Sequence, residues 1–453
     1  MTHRSNRRTF LMQTALAGAA GAVLQTGTPA RAALADSPNE KVRFACIGVG
    51  GKGDSDTNDA GKYGEIVALC DIDEKTLDKM ADKYPKAKKY FDYRTMLAEM
   101  GDKIDAVTVS TPDHTHAPAS VAAMKLGKHC FCQKPLTWSV EEARVMRTLA
   151  AEKKLVTQMG NQGTSHDGFR TGVEIIRSGA LGSVKEIHVW TNRPIWPQGI
   201  SRPKETPGVP NHVHWYEFLG AAHDRPYSPA YHSFKWRGWL DFGTGALGDM
   251  ACHTINVAAM ALGLFDPESV EVVDTSGIVD KETYPAWSII RTQFGARENR
   301  GPVTLNWYDG GEKLPKEKRA YADLLHGEKP HASGLLLVGE KGSFYSQNDY
   351  GAEHVLLPKD KFADYKKPEP TLPRVGGKHF EEWVDGIKAN DPKKPMSNFE
   401  YSGRLTETVL LGVVALKAGG KIEWDADAMQ VKNNKDADQY IKRHYRKGFS
   451  IHS

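Results

Sequence analysis

From residue 42 onward, apolar and polar positions follow two rhythms, and the change of rhythm divides the chain. In the first part, short apolar runs rich in β-branched residues alternate with longer segments whose apolar positions recur at helical spacing. Residues 42–47, 65–70, 88–93, 105–111, 128–135 and 155–162 read as strands. Residues 74–84, 94–100, 115–127 and 139–154 read as helices. Gly127 closes the third of these, and Ser139 with Glu142 three positions on opens the fourth with a reciprocal cap. Between the first two strands, residues 54–64 are polar and bounded by glycine, which predicts a first helix that is short or irregular. Strands that are apolar on both faces and alternate with helices make a parallel sheet covered on both sides, with right-handed crossovers. The expected unit is an α/β, doubly wound domain over residues 38–165.

Beyond residue 166 the strands lengthen and alternate. A helix is expected over 167–182 and a strand over 183–192. Residues 190–240 are rich in proline, histidine and aromatics, and hold Trp190, Trp196, Trp215, Trp236 and Trp239. Further strand patterns cover 269–276, 288–295, 302–310, 334–347 and 353–358, with helices at 380–390 and 407–420 and a strand and turn at 421–430. Their spacing predicts an α+β domain with a mostly antiparallel sheet over residues 166–453. The basic stretch after Lys432 reads as surface. No fixed-period repeat is present, which argues against a solenoid or propeller.

Length and composition fit this division. A chain of 453 residues, 40 % hydrophobic, can bury two substantial cores. Its formal charge of +4 comes from the first 32 residues, which hold Arg4, Arg7, Arg8 and Arg31 and no acid. The remainder is neutral and gives no electrostatic reason to expect nucleic acid or an anionic membrane as partner. Twin arginines Arg7 and Arg8, an apolar run ending at Leu24 and the small-residue site Ala30-Arg31-Ala32 read as a twin-arginine export signal over residues 1–32. The apolar run is about half the length a bilayer requires, so the mature form has no expected membrane span. The expected location is periplasmic or otherwise exported, with the twin-arginine machinery as a partner. That route carries folded proteins and suits one that acquires a cofactor before leaving. The odd count of five cysteines, Cys46, Cys70, Cys130, Cys132 and Cys252, reads as buried thiols and not as a disulfide framework.

Candidate chemistry begins at residues 41–53, where the first strand runs into Gly48, Gly50 and Gly53 at G-x-G-x-x-G spacing. Such glycines give a tight turn, admit backbone amides to a pyrophosphate and let the next helix pack against the strand. Asp71 ends the second strand, where an acid can hydrogen-bond an adenosine ribose, and it favours NAD over NADP by repelling a 2′-phosphate. Ligands of such sheets bind beyond the carboxyl ends of the strands. Thr111-Pro112-Asp113-His114, Gln133-Lys134 and Asn161-Gln162 fall there. A lysine leaving a buried strand into a nucleotide crevice, as Lys134 does, is placed to polarise or protonate a substrate oxygen. Asp249 and His253 are four apart and share a helix face, and a histidine partnered by a carboxylate suits a general base. The pairs His114-x-His116 and His212-x-His214 lack acids or cysteines at ligand spacing, so no metal is expected.

In this order, the glycine turn, the acid after the second strand, the Lys134-Pro135 end of the fifth strand and Asp249-x-x-x-His253 resemble the Gfo/Idh/MocA oxidoreductases, over nearly the whole mature chain. The resemblance implies a nicotinamide cofactor in the first domain and a sugar or cyclic polyol against the sheet of the second. It places Lys134 and His253 beside the reacting carbinol, with His253 as base and Asp249 as its partner. Gly48, Gly50, Gly53, Asp71, Thr111, Pro112, His114, Gln133, Lys134 and Gln162 become cofactor-facing candidates. Asn161, Arg193, Trp196, His214, Trp215 and Tyr216 become candidates for the carbohydrate, whose apolar faces stack on aromatic rings. The sequence departs from the family at Gln133, where a glutamate is usual. The expected function is an exported NAD(P)-dependent oxidoreductase that acts on a sugar, glycoside or cyclic polyol and holds its cofactor tightly. One alternative is an NAD-dependent glycoside hydrolase working by transient oxidation and elimination. Another is a carbohydrate-binding protein without activity. A homo-oligomer formed through the wide second sheet is expected.

Overall fold

The computed structural model describes residues 41–452; the export signal read over residues 1–32 lies outside them. The first sheet has six parallel strands in the order β3-β2-β1-β4-β5-β6. These are β1 (Val42–Ile47), β2 (Gly64–Cys70), β3 (Lys88–Tyr90), β4 (Ala106–Val109), β5 (His129–Cys132) and β6 (Thr157–Met159). Five helices join them in sequence: α1 (Lys52–Tyr63), α2 (Glu74–Lys83), α3 (Tyr93–Met100), α4 (Asp113–Lys125) and α5 (Val140–Glu152). The strand order reverses between β1 and β4, and the crevice at that switch point opens above the glycine turn.

After α6 (Asp167–Arg177), the chain enters a nine-stranded sheet through β7 (Val184–Trp190). A short helix α7 (Trp215–Leu219) and the consecutive helices α8 (Gly245–Thr254) and α9 (Asn256–Leu262) precede the remaining strands. These are β8 (Ser269–Thr275), β9 (Ser288–Phe294), β10 (Val303–Asp309), β11 (Gly334–Gly339), β12 (Gly342–Ser346) and β13 (His354–Leu357). Helices α10 (His379–Ala389) and α11 (Phe399–Ala418), then β14 (Lys421–Asp425) and β15 (Gln430–Val431), complete the elements used below. The order is β13-β12-β11-β7-β10-β9-β8-β14-β15, antiparallel throughout except for the β7–β10 pair. One face, through Ile187 and Val189, packs into an apolar core continuous with that of the first sheet.

Three elements differ from their sequence expectation. Helix α1 is a regular helix of 12 residues. Its polar side chains bond within the helix, Lys52 to Asp56 and Asn58 to the Asp54 carbonyl, and its buried face is Gly53, Asp56, Thr57 and Ala60. Small residues there let the helix lie close to the sheet without an apolar stripe. Helix α11 runs for 20 residues and, capped by Asn398, starts at Phe399, eight positions before the expected 407. Its first turns mix polarity because polar and small residues, Ser402, Gly403, Thr406 and Glu407, are buried there beside Phe399 and Leu405, with Gly403 lying against Ala143 and Arg147 of α5. The stretch after Lys432 is anchored, with Ala437, Ile441, Phe449 and Ile451 buried. It returns to the first domain, where the Ile441 carbonyl accepts from the Glu141 amide and Arg94 donates to the Gly448 carbonyl. All five cysteines are free and buried, and no helix among the described residues is long and apolar enough to cross a membrane.

Candidate active site

The glycine turn follows from close approach. Gly48 has φ +77° and its amide donates to the Cys70 carbonyl; a Cβ there would lie 2.7 Å from the Ser110 oxygen. A Cβ on Gly53 would lie 2.0 Å from the Gly48 oxygen, so Gly53 fixes the seat of α1 on β1 and is not itself part of the cavity wall. Gly48, Gly50, Asp71, Thr111, Pro112, Gln133, Lys134 and Gln162 do line one cavity of about 510 Å³, together with Arg193, Trp196, Asp249 and His253. Asp71 accepts from the Val49 and Asp73 amides at 2.8 and 3.0 Å, which ties the end of β2 to the turn; burial pushes its carboxyl above the usual range.

At the other end of the cavity, Lys134 leaves β5 and donates to the Asp249 carboxylate and carbonyl at 2.7 and 2.9 Å. Arg237 donates to the same carboxylate at 2.9 Å. The Asp249 carboxylate is therefore partnered by two cations and not by His253. The charges of Lys134 and Arg237 outweigh burial and hold it well below its ordinary value. Asp249 and His253 share a helix face as expected, but the long cationic side chains from elsewhere in the chain reach the carboxylate. Among the described residues the His253 Nδ1 has no hydrogen-bond partner, its ring meets the edge of Tyr350 at 5.1 Å, and burial and the Lys134 charge hold it well below the usual imidazole value. It is a neutral ring with a free nitrogen.

Gln133 has a physical reason. Its amide donates at 2.8 Å to Asp56 of α1, which also accepts from Ser110 and Lys52. A glutamate at 133 would set two carboxylates face to face; here the acid stands on α1 and the amide matches it.

Several expected contacts lie elsewhere. His114 is fully buried in α4, with Nε2 2.7 Å from the Phe218 carbonyl and Nδ1 3.2 Å from that of Phe242; burial pushes it down to about 3. It joins the two domains and does not face the cofactor crevice. Asn161 is buried behind the cavity, donating to the Cys252 carbonyl and accepting from Ser397. His214, Trp215 and Tyr216 belong to a segment that crosses the end of β2, where the His214 amide donates to the Ile72 carbonyl. The His214 ring stacks on Phe91 at 3.8 Å, and Trp215 stacks on Phe218. Tyr216 lies under Arg446. These three sit at the Asp71 end, far from Lys134, because the bridge Asp73–Val213 fixes their segment there. Of the aromatic-rich stretch, Trp196, Phe234 and Trp236 line the cavity, with Arg237 set among their rings at 4.3–5.7 Å.

Other wall residues carried weaker sequence signals. Asp113 stood inside the Thr-Pro-Asp-His segment, and Arg237 inside the tryptophan-rich stretch. Asp349, Tyr350 and Phe449 come from loops with no motif.

A phosphate-admitting turn, an acid at the second strand and a Lys134–Asp249–His253 group on one cavity define a two-domain, dinucleotide-binding oxidoreductase fold. A family model described as "Oxidoreductase family, NAD-binding Rossmann fold" matches residues 42–161, and one described as "Oxidoreductase family, C-terminal alpha/beta domain" matches residues 179–297. The chain belongs to the Gfo/Idh/MocA oxidoreductase family.

Among curated relatives, a "Glycosyl hydrolase family 109 protein" of Shewanella baltica is 31 % identical over 211 residues, 40 % of this chain and 45 % of that protein. An inositol 2-dehydrogenase of Salmonella typhimurium is 32 % identical over 128 residues, 27 % of this chain and 37 % of its own. The chain thus spans less than half the length of these relatives. A crystal structure of an inositol dehydrogenase homolog from Azotobacter vinelandii, complexed with NADH and myo-inositol, shares the fold with TM-score 0.57 and 16 % identity, covering 85 % of this chain and 98 % of that one.

Proposed function

We propose that this chain is an NAD-dependent oxidoreductase that acts on a carbinol of a sugar, glycoside or cyclic polyol. The observation that carries this reading is the single cavity that runs from Gly48, Gly50 and Asp71 to Lys134, Asp249 and His253. NAD fits the first part: the turn has no side chain between its backbone and a phosphate, and three carboxylates, Asp71, Asp73 and Asp92, line the wall where a 2′-phosphate would have to sit. Bound there, the nicotinamide supplies the hydride acceptor. Lys134 spends two of its N–H groups on Asp249 and keeps one for the substrate oxygen. Neutral His253 accepts the hydroxyl proton, and Asp249 holds Lys134 in place. Trp196, Phe234 and Trp236 offer ring faces to the apolar side of a sugar.

The same reading places the mature protein outside the cytoplasm, supported by Arg7, Arg8 and the Ala30-Arg31-Ala32 site, and has the nucleotide retained through the cycle because no NAD pool exists there. Self-association uses the face of the second sheet turned from the core. Across it runs a polar ladder, Glu186 to Asn306 at 3.2 Å, Asn306 to Arg291 at 3.3 Å and Arg291 to Glu271 at 3.7 Å. A redox-neutral glycoside-cleaving cycle is the second reading, favoured by the glycosyl hydrolase relative.

The test is the absorbance and fluorescence of the purified protein before and after a panel of sugars and glycosides. Bound nucleotide that becomes reduced and stays reduced is the expected result. Aglycone release without net reduction would shift the reading to the hydrolase. A protein without affinity for the nucleotide would overturn both.

A further inference from the structure

The cavity has a second carboxylate whose surroundings are the reverse of those of Asp249. Asp113 opens α4 directly after Thr111-Pro112 and lines the cavity, 2 % exposed. Its Oδ2 accepts from the Thr244 amide at 3.0 Å and the Thr244 hydroxyl at 2.7 Å. Its Oδ1 accepts from no described residue, and no cation is hydrogen-bonded to it. Resting on the oxidoreductase reading above, we propose that Asp113 is a second proton-carrying group of the cavity, serving the carbon next to the reacting carbinol while Lys134 and His253 serve the hydroxyl.

The chemistry separates two carboxylates that share one cavity. Asp249 sits between Lys134 and Arg237 and stays ionised, so it has no proton to give. Asp113 is pushed up to about 7, chiefly by burial; Arg237 and Lys134 lower it, the Thr244 hydrogen bond lowers it, and the charge of Asp249 raises it. The other titratable groups that sense Asp113 are Tyr284, Cys132 and Cys252, all buried with their own acids pushed up, so they stay neutral. Two acids pushed apart in one site divide the proton work between them. Once the carbinol is a carbonyl, the neighbouring C–H is acidic. Ionised Asp113 takes that proton, and the C–H electron pair stays on the substrate as an enolate. If the next carbon bears a glycosidic oxygen, that pair forms a C=C bond as the C–O bond breaks. The proton then passes from Asp113 to the leaving oxygen, so no further oxidant or reductant enters.

The experiment incubates the protein carrying its nucleotide with a sugar that reduces it, in heavy water, and measures deuterium at the carbon beside the carbinol in recovered sugar. The wild type incorporates deuterium. Asp113→Asn, which keeps the shape and can still accept from Thr244, is expected to slow incorporation about a hundredfold or more and nucleotide reduction by less than about tenfold. Asp113→Glu should restore part of the incorporation. A readout that needs no turnover is the infrared band of a protonated carboxyl near neutral pH, present in the wild type and lost in Asp113→Asn. Equal incorporation in wild type and Asp113→Asn, no incorporation in the wild type, or a missing band would each overturn the proposal. If no sugar reduces the wild-type nucleotide, the oxidoreductase reading itself falls and takes this assignment with it, a result distinct from reduction with unchanged incorporation.

Discussion

Asp249 shows what a single carboxylate does when two cations reach it. Replacing it with asparagine leaves Lys134 and Arg237 facing each other without a counter-charge. We expect Asp249→Asn to slow sugar-dependent nucleotide reduction about a hundredfold or more; an unchanged rate would remove Asp249 from the positioning of Lys134. Asp113 makes a separate prediction about pH. Its folded value is raised above that of the unfolded chain, so its contribution to stability is complete below about pH 4 and is lost as pH rises through about 7. Asp113→Asn has no such loss. Moving from about pH 5 to about pH 8, the variant should gain on the wild type by a few kcal/mol in thermal or denaturant unfolding. Single residues were legible where their neighbours were local. Gly48, Gly50, Asp71, Lys134 and His253, each picked out by a local pattern, line one cavity. The partners of Asp249 showed in no such pattern, because Lys134 and Arg237 lie 115 and 12 positions away. Likewise Gln133 reads as a defect until Asp56 is placed beside it.

Among the elements, α1 carries the lesson that a helix can be held by what it lacks. Its polar sequence predicts irregularity, yet Gly53 and Ala60 let it settle on the sheet and present Asp56 inward. Gly53→Ala would push a methyl group to 2.0 Å from the Gly48 oxygen. The turn must open, at a cost of about 1–3 kcal/mol. The measurement is unfolding stability together with nucleotide content after purification; both should drop, and a variant that keeps its nucleotide would show that the turn tolerates displacement. Outside α1 the alternation of strands and helices was legible, since the central parallel strands announce themselves by runs apolar on both faces, while β3, with Lys88 and Lys89 exposed, shows only as a short run. The segment with His214, Trp215 and Tyr216 was legible as aromatic but not as to its place, because the Asp73–Val213 bridge that fixes it is a tertiary contact between two unremarkable loops.

At the scale of the whole molecule, the Asp71 end of the cavity is roofed by parts from outside the nucleotide-binding domain. Phe218 lines it from one side, with His214 stacked behind the wall residue Phe91, and Phe449, buried and gripped by the Arg94 guanidinium at 3.9 Å, lines it from the other. Phe449→Ala should accelerate exchange of bound nucleotide for free NAD by about tenfold or more and lower stability by about 3–5 kcal/mol. Exchange as slow as in the wild type would mean that the roof does not retain the nucleotide. Nothing in a basic, motif-free stretch announces such a role; it arises from where the chain returns.

That return also sets an order of events during synthesis. A ribosome delivers the glycine turn early and residues 441–451 about 400 positions later, so the nucleotide-binding domain emerges with its roof still missing. The Asp71 end of the site lacks this part of its wall until Phe449 reaches its place. If the finished roof retains its nucleotide, as proposed, that nucleotide is a passenger taken on at assembly, drawn from whatever compartment surrounds the ribosome.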